Sequence, residues 1–230
     1  MAELEINFDP FISLRRQVRT PLTNPLHLVS FIEAAGVPGL SYTYHPEADD
    51  EDDLALLPSM TGSRINVRVF PDAESIEKVL SLKPDMITLI GKDGHEHALE
   101  MTSVNLKELL EPILAKEEFA VSVRVRPDVR ELKLVYQLGV DEVEIATNHL
   151  AGISSHAGFV RQLSQLVHII RVGQKNNLAI SAGGNLDRRL ITELLKVVDL
   201  DFISVDDALL SQALMLGFEN ALQNLIECME

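Results

Sequence analysis

The sequence predicts a (β/α)8 barrel, and three observations lead to that prediction. Short runs rich in β-branched and aromatic residues alternate with segments of helical periodicity. Eight such β–α pairs fit into 230 residues, a length that suits one barrel domain. No Gly-x-Gly-x-x-Gly motif follows the first strand, which counts against the rival architecture, an open doubly wound sheet. We therefore expect a single TIM-barrel domain over residues 1–230, with an additional helical stretch at the C-terminus.

The predicted strands are short apolar runs, and the predicted helices are the longer amphipathic segments beside them. Acidic residues after Pro71 and Pro127 mark two helix starts, while Gly36 and Gly139 stand where helices end before a strand. The strands are expected at 3–7, 39–44, 64–70, 85–90, 119–125, 141–146, 177–182 and 201–205. The helices are expected at 25–35, 51–60 (a weak pattern), 72–82, 103–116, 128–138, 156–175, 187–198, 207–216 and 218–228.

Composition excludes several classes of function. The formal net charge of −15 argues against nucleic-acid binding, because phosphate backbones are bound by clustered Lys and Arg. It argues more weakly against anionic substrates. The apolar runs are far shorter than the roughly 20 residues of a membrane span, and the acidic start does not resemble a secretion signal. Cys228 is the single cysteine, so no intramolecular disulfide forms. These features predict a cytoplasmic protein without nucleic-acid or membrane partners.

The acidic run Glu47–Asp53 contributes much of the negative charge. A solvated loop is the interpretation that such runs favour, and a cation-binding loop is the alternative.

Function in a barrel lies at the carboxyl ends of the strands, because the loops that follow them surround one mouth. The predicted strands therefore nominate eight segments: Asn7–Asp9, Thr43–His45, Arg68–Phe70, Gly91–His97, Arg124–Arg126, Glu144–Asn148, Ala182–Asn185 and Ser204–Asp207.

Ordered motifs at and beside these strand ends carry a family resemblance. The stretches "LEINFDPFISLR", "NPLHLVSFIEAAGVPGLSYT", "RINVRV", "KPDMITLI", "LGVDEVEIAT", "LAISAGGNL" and "ALMLGFENAL" follow one another from near residue 1 to about residue 225. In order and spacing they resemble the pyridoxine 5′-phosphate synthase family of vitamin B6 biosynthesis. The resemblance implies a barrel that condenses 1-deoxyxylulose 5-phosphate with an amino-acetone phosphate and closes a pyridine ring.

The catalytic positions of that family are changed here. The resemblance implies a histidine ending strand 2, a glutamate on strand 3 and a histidine in the loop after strand 7, where this chain has Thr43, Arg68 and Gly184. Pro10 stands in place of a further histidine. Threonine has no pKa near neutrality, arginine stays charged and glycine has no side chain. Since one positioned acid or base contributes roughly 10²–10⁴ in rate, little of the family reaction should remain.

The phosphate site that the resemblance implies after strand 8 is also changed. Instead of a Gly-His pair, the stretch "SVDDALLSQ" places Asp206 and Asp207 at the start of a helix. Their carboxylates complement the helix dipole and also occupy the positive potential that a phosphate needs.

Other family positions persist, namely Asn7, Asp9, Glu144 and Thr147. An inward-facing Glu144 is either part of a core ion pair with Arg68 or Arg124, or a ligand-binding or acid–base group, and the ion pair is favoured. His45 either replaces the missing histidine in part or lies in an exposed loop, as the following Pro46 favours.

Three arginines, Arg68, Arg124 and Arg126, are expected to approach the mouth, and alternation places the last two on one face. They bind a carboxylate or phosphate of a ligand, or they neutralise Asp9 and Glu144, which we favour. His95 and His97, two residues apart, are metal-ligand candidates, but a polar loop is the favoured interpretation. The same holds for the remaining histidines near the sixth strand, His149 and His156.

Three functional hypotheses follow. The first is a divergent barrel, in effect a pseudoenzyme, that binds a different small molecule or a partner protein. The second is a pyridoxine 5′-phosphate synthase that uses a shifted set of residues, and the third is an enzyme with a new reaction. We expect no cofactor and no metal, and by family analogy a homo-oligomer. The catalytic candidates are His45 and Glu144; the ligand-binding candidates are Asn7, Asp9, Arg68, Arg124, Thr147, Gly183 and Gly184.

Overall fold

Eight parallel strands close into a barrel in the order in which they occur along the chain. The computed structural model describes residues 2–18, 24–46, 51–92, 97–101, 106–116, 118–153, 155–175 and 178–229. Each strand pairs in parallel with the next, and the first closes the ring by pairing with the last, Ile6 opposite Val205. The predicted fold class is confirmed.

All eight strands lie within two residues of their predicted bounds. A strand covered by helices outside and by other strands' side chains inside is buried on both faces, so apolar runs locate it well. The strands are β1 (Glu3–Asn7), β2 (Gly39–Thr43), β3 (Arg64–Val69), β4 (Met86–Leu89), β5 (Ala120–Val125), β6 (Glu142–Ala146), β7 (Ala179–Gly183) and β8 (Phe202–Val205).

Helices lie between the strands, and each predicted segment contains at least one. The first predicted segment divides into a 3-10 turn (Pro25–Leu28) and a short α-helix, and the weak second pattern forms two single-turn helices. The helices are α1 (Asp9–Val18), α2 (Val29–Ala34), α3 (Glu51–Leu54), α4 (Leu57–Met60), α5 (Ala73–Ser81), α6 (Leu106–Leu114), α7 (Val129–Leu138), α8 (Asn148–Ala151), α9 (His156–Gln174), α10 (Arg188–Leu195), α11 (Asp207–Leu216) and α12 (Phe218–Met229).

Two helices, α1 and α8, were not predicted from the sequence. The buried residues of α1, Pro10, Phe11 and Ile12, are consecutive, so the segment lacks the spacing of an amphipathic helix. Pro10 is compatible with the first turn because the backbone N–H that proline lacks has no partner inside the helix there. α8 is a single turn after β6, too short for periodicity to reveal.

The local signals at helix ends are confirmed. The Asp72 carboxylate accepts a hydrogen bond from the Ser75 N–H at 2.9 Å, and the Asp128 carboxylate accepts one from the Arg130 N–H at 2.7 Å. Gly139 ends α7 with a left-handed backbone, φ = 75°. Among the described residues, no helix is long and apolar enough to cross a membrane. The apolar face of the C-terminal helix α12 is buried through Ala221, Leu222 and Leu225.

The inside of the barrel is polar, whereas its outer face is apolar. Arg68 on β3 contacts Glu144 on β6 and Ser204 on β8, and these strands are not neighbours, so the contacts cross the interior. The buried polar side chains of the strands are Glu5, Asn7, Ser41, Thr43, Asn66, Arg68, Thr88, Ser122, Arg124, Glu142, Glu144, Ser181 and Ser204. Alternate residues such as Val67, Val123 and Ile145 form the apolar layer under the helices.

Gly91 permits a close return of the chain after β4, which gives the first prediction. A Cβ at this position would lie 2.1 Å from the carbonyl oxygen of Ala98, so the backbone must shift to accept one. We expect Gly91→Ala to lower the free energy of unfolding by about 1–3 kcal/mol, the usual cost of overpacking, measured by urea denaturation. Gly152→Ala is the matched control, because nothing lies within 4 Å of its Cβ position. Equal stabilities of the two variants would contradict the close approach.

Candidate functional site

A cavity of about 850 Å³ lies at the carboxyl ends of the strands. This is the end at which barrels carry their functional groups. The described residues that line it come from all eight nominated segments, from helices α1 and α11, and from the residue after β4: Asn7, Asp9, Pro10, Ser13, Leu14, Gln17, Thr43, His45, Arg68, Phe70, Ile90, His97, Arg124, Asn148, Asn185, Asp206, Asp207 and Leu210.

One wall of the cavity is formed by a carboxylate bound to a threonine. The two Asp9 carboxylate oxygens accept hydrogen bonds from the Thr43 backbone N–H and the Thr43 hydroxyl, both at 2.7 Å. The Asp9 N–H in turn donates to the Asn7 side-chain oxygen at 2.8 Å. Thr43 therefore holds the first helix against the end of β2, and its hydroxyl proton is committed to Asp9.

The floor of the cavity is an ion cluster, which we call the mouth cluster: Arg68, Arg124 and Glu144. Glu144 accepts from both arginines, and its Oε1 lies 3.2 Å from Arg68 Nη2. Arg68 Nη2 also donates to the Ser204 hydroxyl at 2.8 Å. Exposure is only 2–5% for these three residues, so Glu144 partly compensates the two arginines away from water, and Arg68 also lies 3.5 Å from Glu5 Oε1. The sequence left two interpretations open for these residues, ligand binding and ion pairing. In the structure Arg68 and Arg124 form ion pairs with Glu144.

Burial and neighbouring charges compete in the mouth cluster: burial keeps the pKa of Arg124 below its usual value, whereas charges prevail at Glu144 and Arg68. Burial alone would raise the pKa of Glu144, but the positive charges of Arg68 and Arg124 outweigh it, so the Glu144 pKa lies below its usual value. Burial acts to lower the pKa of Arg68, and the charges of Glu144 and Glu5 reverse this, so the Arg68 pKa is raised. Both groups therefore stay ionised at neutral pH.

Arg126 does not join the other two arginines, contrary to the alternation argument. β5 ends at Val125, so the alternation stops one residue earlier. The Arg126 guanidinium donates instead to the Glu131 carboxylate of α7, through Nε at 2.9 Å and Nη2 at 2.6 Å.

Two glycines make room for the mouth cluster. A Cβ at Gly184 would lie 2.1 Å from Asn148 Oδ1 and 2.6 Å from Arg124 Nη2, and the backbone there is left-handed with φ = 108°. A Cβ at Gly183 would lie 2.3 Å from Glu144 Oε1. The space of a side chain at position 184 is thus filled by Arg124 and Asn148.

The carbonyl groups of this loop are also bound from within the protein. The Gly183 carbonyl oxygen accepts a hydrogen bond from Arg124 Nη2 at 3.1 Å, and the Gly184 carbonyl oxygen accepts one from the Thr147 hydroxyl at 2.8 Å. The sequence analysis gives Thr147, Gly183 and Gly184 as ligand-binding candidates. In the structure, the Thr147 hydroxyl and the carbonyl groups of both glycines are engaged by other groups of the protein.

A second ion cluster lies deeper in the barrel, and the sequence analysis missed it. Arg64 Nη2 lies 2.9 Å from Glu5 Oε2, and Arg64 Nη1 lies 3.8 Å from Glu142 Oε2. The guanidinium also stacks on Phe202, 3.5 Å from the ring centroid. The Ser181 hydroxyl donates to Glu142 at 2.6 Å. Charged residues at alternate positions of otherwise apolar strands were the signal that could have revealed this deep cluster.

The histidines are dispersed. His45 follows the end of β2 and is half-buried, with its ring centroid 5.9 Å from that of Phe70. His97 is exposed at the rim, His149 lies in α8 and His156 begins α9, while His95 lies outside the described residues. In the described part of the chain, no group of three or more His, Cys, Asp or Glu is placed to hold a metal ion.

The acidic run after β2 is only partly within the described residues. Of it, Glu47–Asp50 fall outside, and the Asp53 carboxylate forms an ion pair with Arg15 of α1 at 2.5 Å.

Asp206 joins the ends of the last two strands. Its carboxylate oxygens lie 3.1 and 3.3 Å from the Asn185 backbone N, which donates to them. Burial and the neighbouring Asp207 charge raise the pKa of Asp206 above its usual value. Asp207, by contrast, is exposed.

Comparison with known proteins identifies relatives over the whole barrel. The family model described as "Pyridoxal phosphate biosynthesis protein PdxJ" matches residues 4–230. Pyridoxine 5′-phosphate synthase of Syntrophobacter fumaroxidans is 25% identical over 235 residues, covering 98% of each chain. The enzyme of the same name from Geobacter metallireducens is 25% identical over 236 residues, covering 99% of this chain and 98% of its own.

Solved structures share the fold at lower sequence identity. Phosphoribosyl anthranilate isomerase from Thermotoga maritima superposes with a TM-score of 0.66 at 13% identity, over 100% of this chain and 98% of that one. Thiamine phosphate pyrophosphorylase from Pyrococcus furiosus superposes with a TM-score of 0.67 at 14% identity, over 99% and 95%. These two likenesses concern the barrel architecture.

The mouth cluster predicts a large stability loss when its acid is neutralised. Glu144→Gln leaves two buried guanidiniums with reduced compensation, so we expect the free energy of unfolding to fall by about 3–5 kcal/mol. The control Glu193→Gln breaks an exposed pair with Lys196 and should cost about 0–1 kcal/mol. Urea denaturation measures both. A loss in Glu144→Gln no larger than in the control would contradict the role given to the cluster.

The deep cluster predicts a pH-dependent gain in stability from Glu142→Gln. Burial, opposed by the Ser181 hydrogen bond and the Arg64 charge, raises the Glu142 pKa to about 7 from 4.5. Ionised Glu142 therefore destabilises the folded state increasingly as pH rises from 4.5 to 7. We expect the variant's gain in unfolding free energy to be about 2 kcal/mol larger at pH 8 than at pH 5. A gain independent of pH would show that the Glu142 pKa is not raised.

Proposed function

The chain belongs to the family of the pyridoxal phosphate biosynthesis protein PdxJ, and on that premise we propose that it is a divergent pyridoxine 5′-phosphate synthase-like barrel. In this proposal it has lost the ring-closing condensation and binds a different small molecule at the mouth. We further propose a cytoplasmic location, on the sequence features given above, and a homo-oligomer, by family analogy.

The observation that carries the proposal is the engagement of Arg68 at the position of the glutamate that the resemblance implies. A general base needs a lone pair and a pKa near the working pH. Arg68 has neither a free lone pair nor such a pKa, because its pKa is raised and its guanidinium donates hydrogen bonds to Glu144 and Ser204. A missing acid or base of this kind lowers the rate by roughly 10²–10⁴.

The other two replaced positions support the same conclusion. The Thr43 hydroxyl is bound to Asp9, and Arg124 and Asn148 occupy the space above Gly184. Glu144 does not compensate, because its lowered pKa makes it a weak base and two guanidiniums surround its carboxylate.

The cavity supports a ligand-binding function. Its volume of about 850 Å³ lies within the range of small-molecule sites, roughly 300–1,000 Å³. Residues with polar side chains from the segments at all eight strand ends line it.

The alternative is a synthase that uses a shifted set of residues. His45 favours it, because this half-buried histidine lines the cavity two residues beyond Thr43. A histidine is the one mouth side chain type whose ordinary pKa suits proton transfer at neutral pH. This hypothesis predicts that activity depends on His45.

Product formation separates the two functions. The purified protein is supplied with the two phosphorylated substrates that the resemblance implies, and pyridoxine 5′-phosphate is detected by mass spectrometry. The synthase of Geobacter metallireducens serves as the positive control. We expect no product above background from this chain when circular dichroism shows it to be folded.

Turnover that disappears in His45→Ala would replace the proposal with the shifted synthase. His97→Ala is the matched control, since His97 also lines the cavity but is exposed at the rim. Turnover that survives both substitutions would likewise contradict loss of the condensation.

A further inference from the structure

We propose that Asp206 is a built-in anion that fills the anion subsite of the mouth, so that the cavity accepts neutral or cationic small molecules and excludes phosphorylated ones. This inference deepens the proposed function and rests on it for the statement that the mouth is a ligand site. It assigns the chemical class of the ligand and names the residue that sets it.

The position of the Asp206 carboxylate is the first step. In barrels, the loops after strands 7 and 8 and a nearby helix N-terminus form the usual phosphate site, because backbone N–H groups and the helix dipole attract an anion there. Asp206 stands directly before the ten-residue helix α11. Its carboxylate does not cap that helix but receives the Asn185 N–H of the loop after β7. It therefore bridges the two loops where a phosphate would lie.

Two positive charges share the cavity with Asp206. Asp206, Arg68 and Arg124 line the same cavity, and both arginines attract the Asp206 carboxylate. Burial and the Asp207 charge outweigh this attraction for Asp206 itself, so its pKa is raised. The negative group at this position is nevertheless one that the protein supplies itself.

The class of ligand follows from the remaining lining. A phosphorylated molecule that approaches the loops after β7 and β8 meets the carboxylates of Asp206 and Asp207, and the opposite wall adds Asp9. Like charges at close range oppose binding, and the net charge of −15 adds to this. A neutral or amine-bearing molecule meets no such repulsion, and an amine gains attraction.

The test is a titration with inorganic phosphate, followed by isothermal calorimetry at pH 8. It compares the native chain with Asp206→Ala, Asp206→Asn and Asp207→Ala. We expect Asp206→Ala to bind phosphate at least about tenfold more tightly than the native chain, because the loop N–H is released and the competing charge is gone. Asp207→Ala is the matched control: it removes the same charge from an exposed position for which the described residues show no bond to the loop, so it should gain only what the lost repulsion gives, clearly less than Asp206→Ala.

Two results would overturn the inference. The first is phosphate binding by the native chain as tight as in Asp206→Ala. The second is a folded Asp206→Ala that gains no more affinity than Asp207→Ala. Where thermal denaturation shows that Asp206→Ala does not fold, Asp206→Asn decides, because asparagine keeps an oxygen for the Asn185 N–H and removes only the charge. We expect it to gain phosphate affinity, and no gain would overturn the inference.

The failure of this inference is distinguishable from that of the proposed function. The titration contains no family substrate and reports only on the anion subsite. Product formation by the native chain would overturn the proposed function. A phosphate titration in which the Asp206 variants gain no affinity would overturn the assignment of Asp206.

Discussion

Charge compensation inside the barrel is the constraint on which the rest of this structure depends. Among the described residues, the two interior clusters contain three arginines, Arg64, Arg68 and Arg124, and three glutamates, Glu5, Glu142 and Glu144. An isolated charge in such an interior is strongly unfavourable, and each of these has an opposite partner. The apolar layer under the helices stabilises the barrel, while the ion clusters determine which side chains the strand ends can present.

The changes at the mouth are physically linked to one another. Arg124 occupies its position because residues 183 and 184 have no side chains, and Arg68 is compensated because Glu144 lies between the two arginines. Thr43 fixes the start of α1 through Asp9 instead of offering a titratable group. The mouth is therefore an arrangement of linked groups, in which a change at one position alters the contacts of the others.

The sequence predicted the barrel well because strand burial and helix periodicity are local patterns, as the match of β1 to residues 3–7 illustrates. It left Glu144 with two interpretations because the partners Arg68 and Glu144 lie 76 residues apart and meet only across the closed barrel. Arg126 was misplaced because the exact end of β5 depends on pairing with its neighbour rather than on alternation. The deep cluster was missed because Glu5, Arg64 and Glu142 become neighbours only through barrel closure.

The overlap between Arg124 and the space of a side chain at position 184 has an evolutionary consequence. A larger residue at 184 collides with Arg124 and Asn148, and removing Arg124 first leaves Glu144 with less compensation. Either single substitution therefore gives a less stable protein. A side chain at position 184 is compatible with this mouth only when position 124 changes with it, so the two positions are expected to change together as a pair.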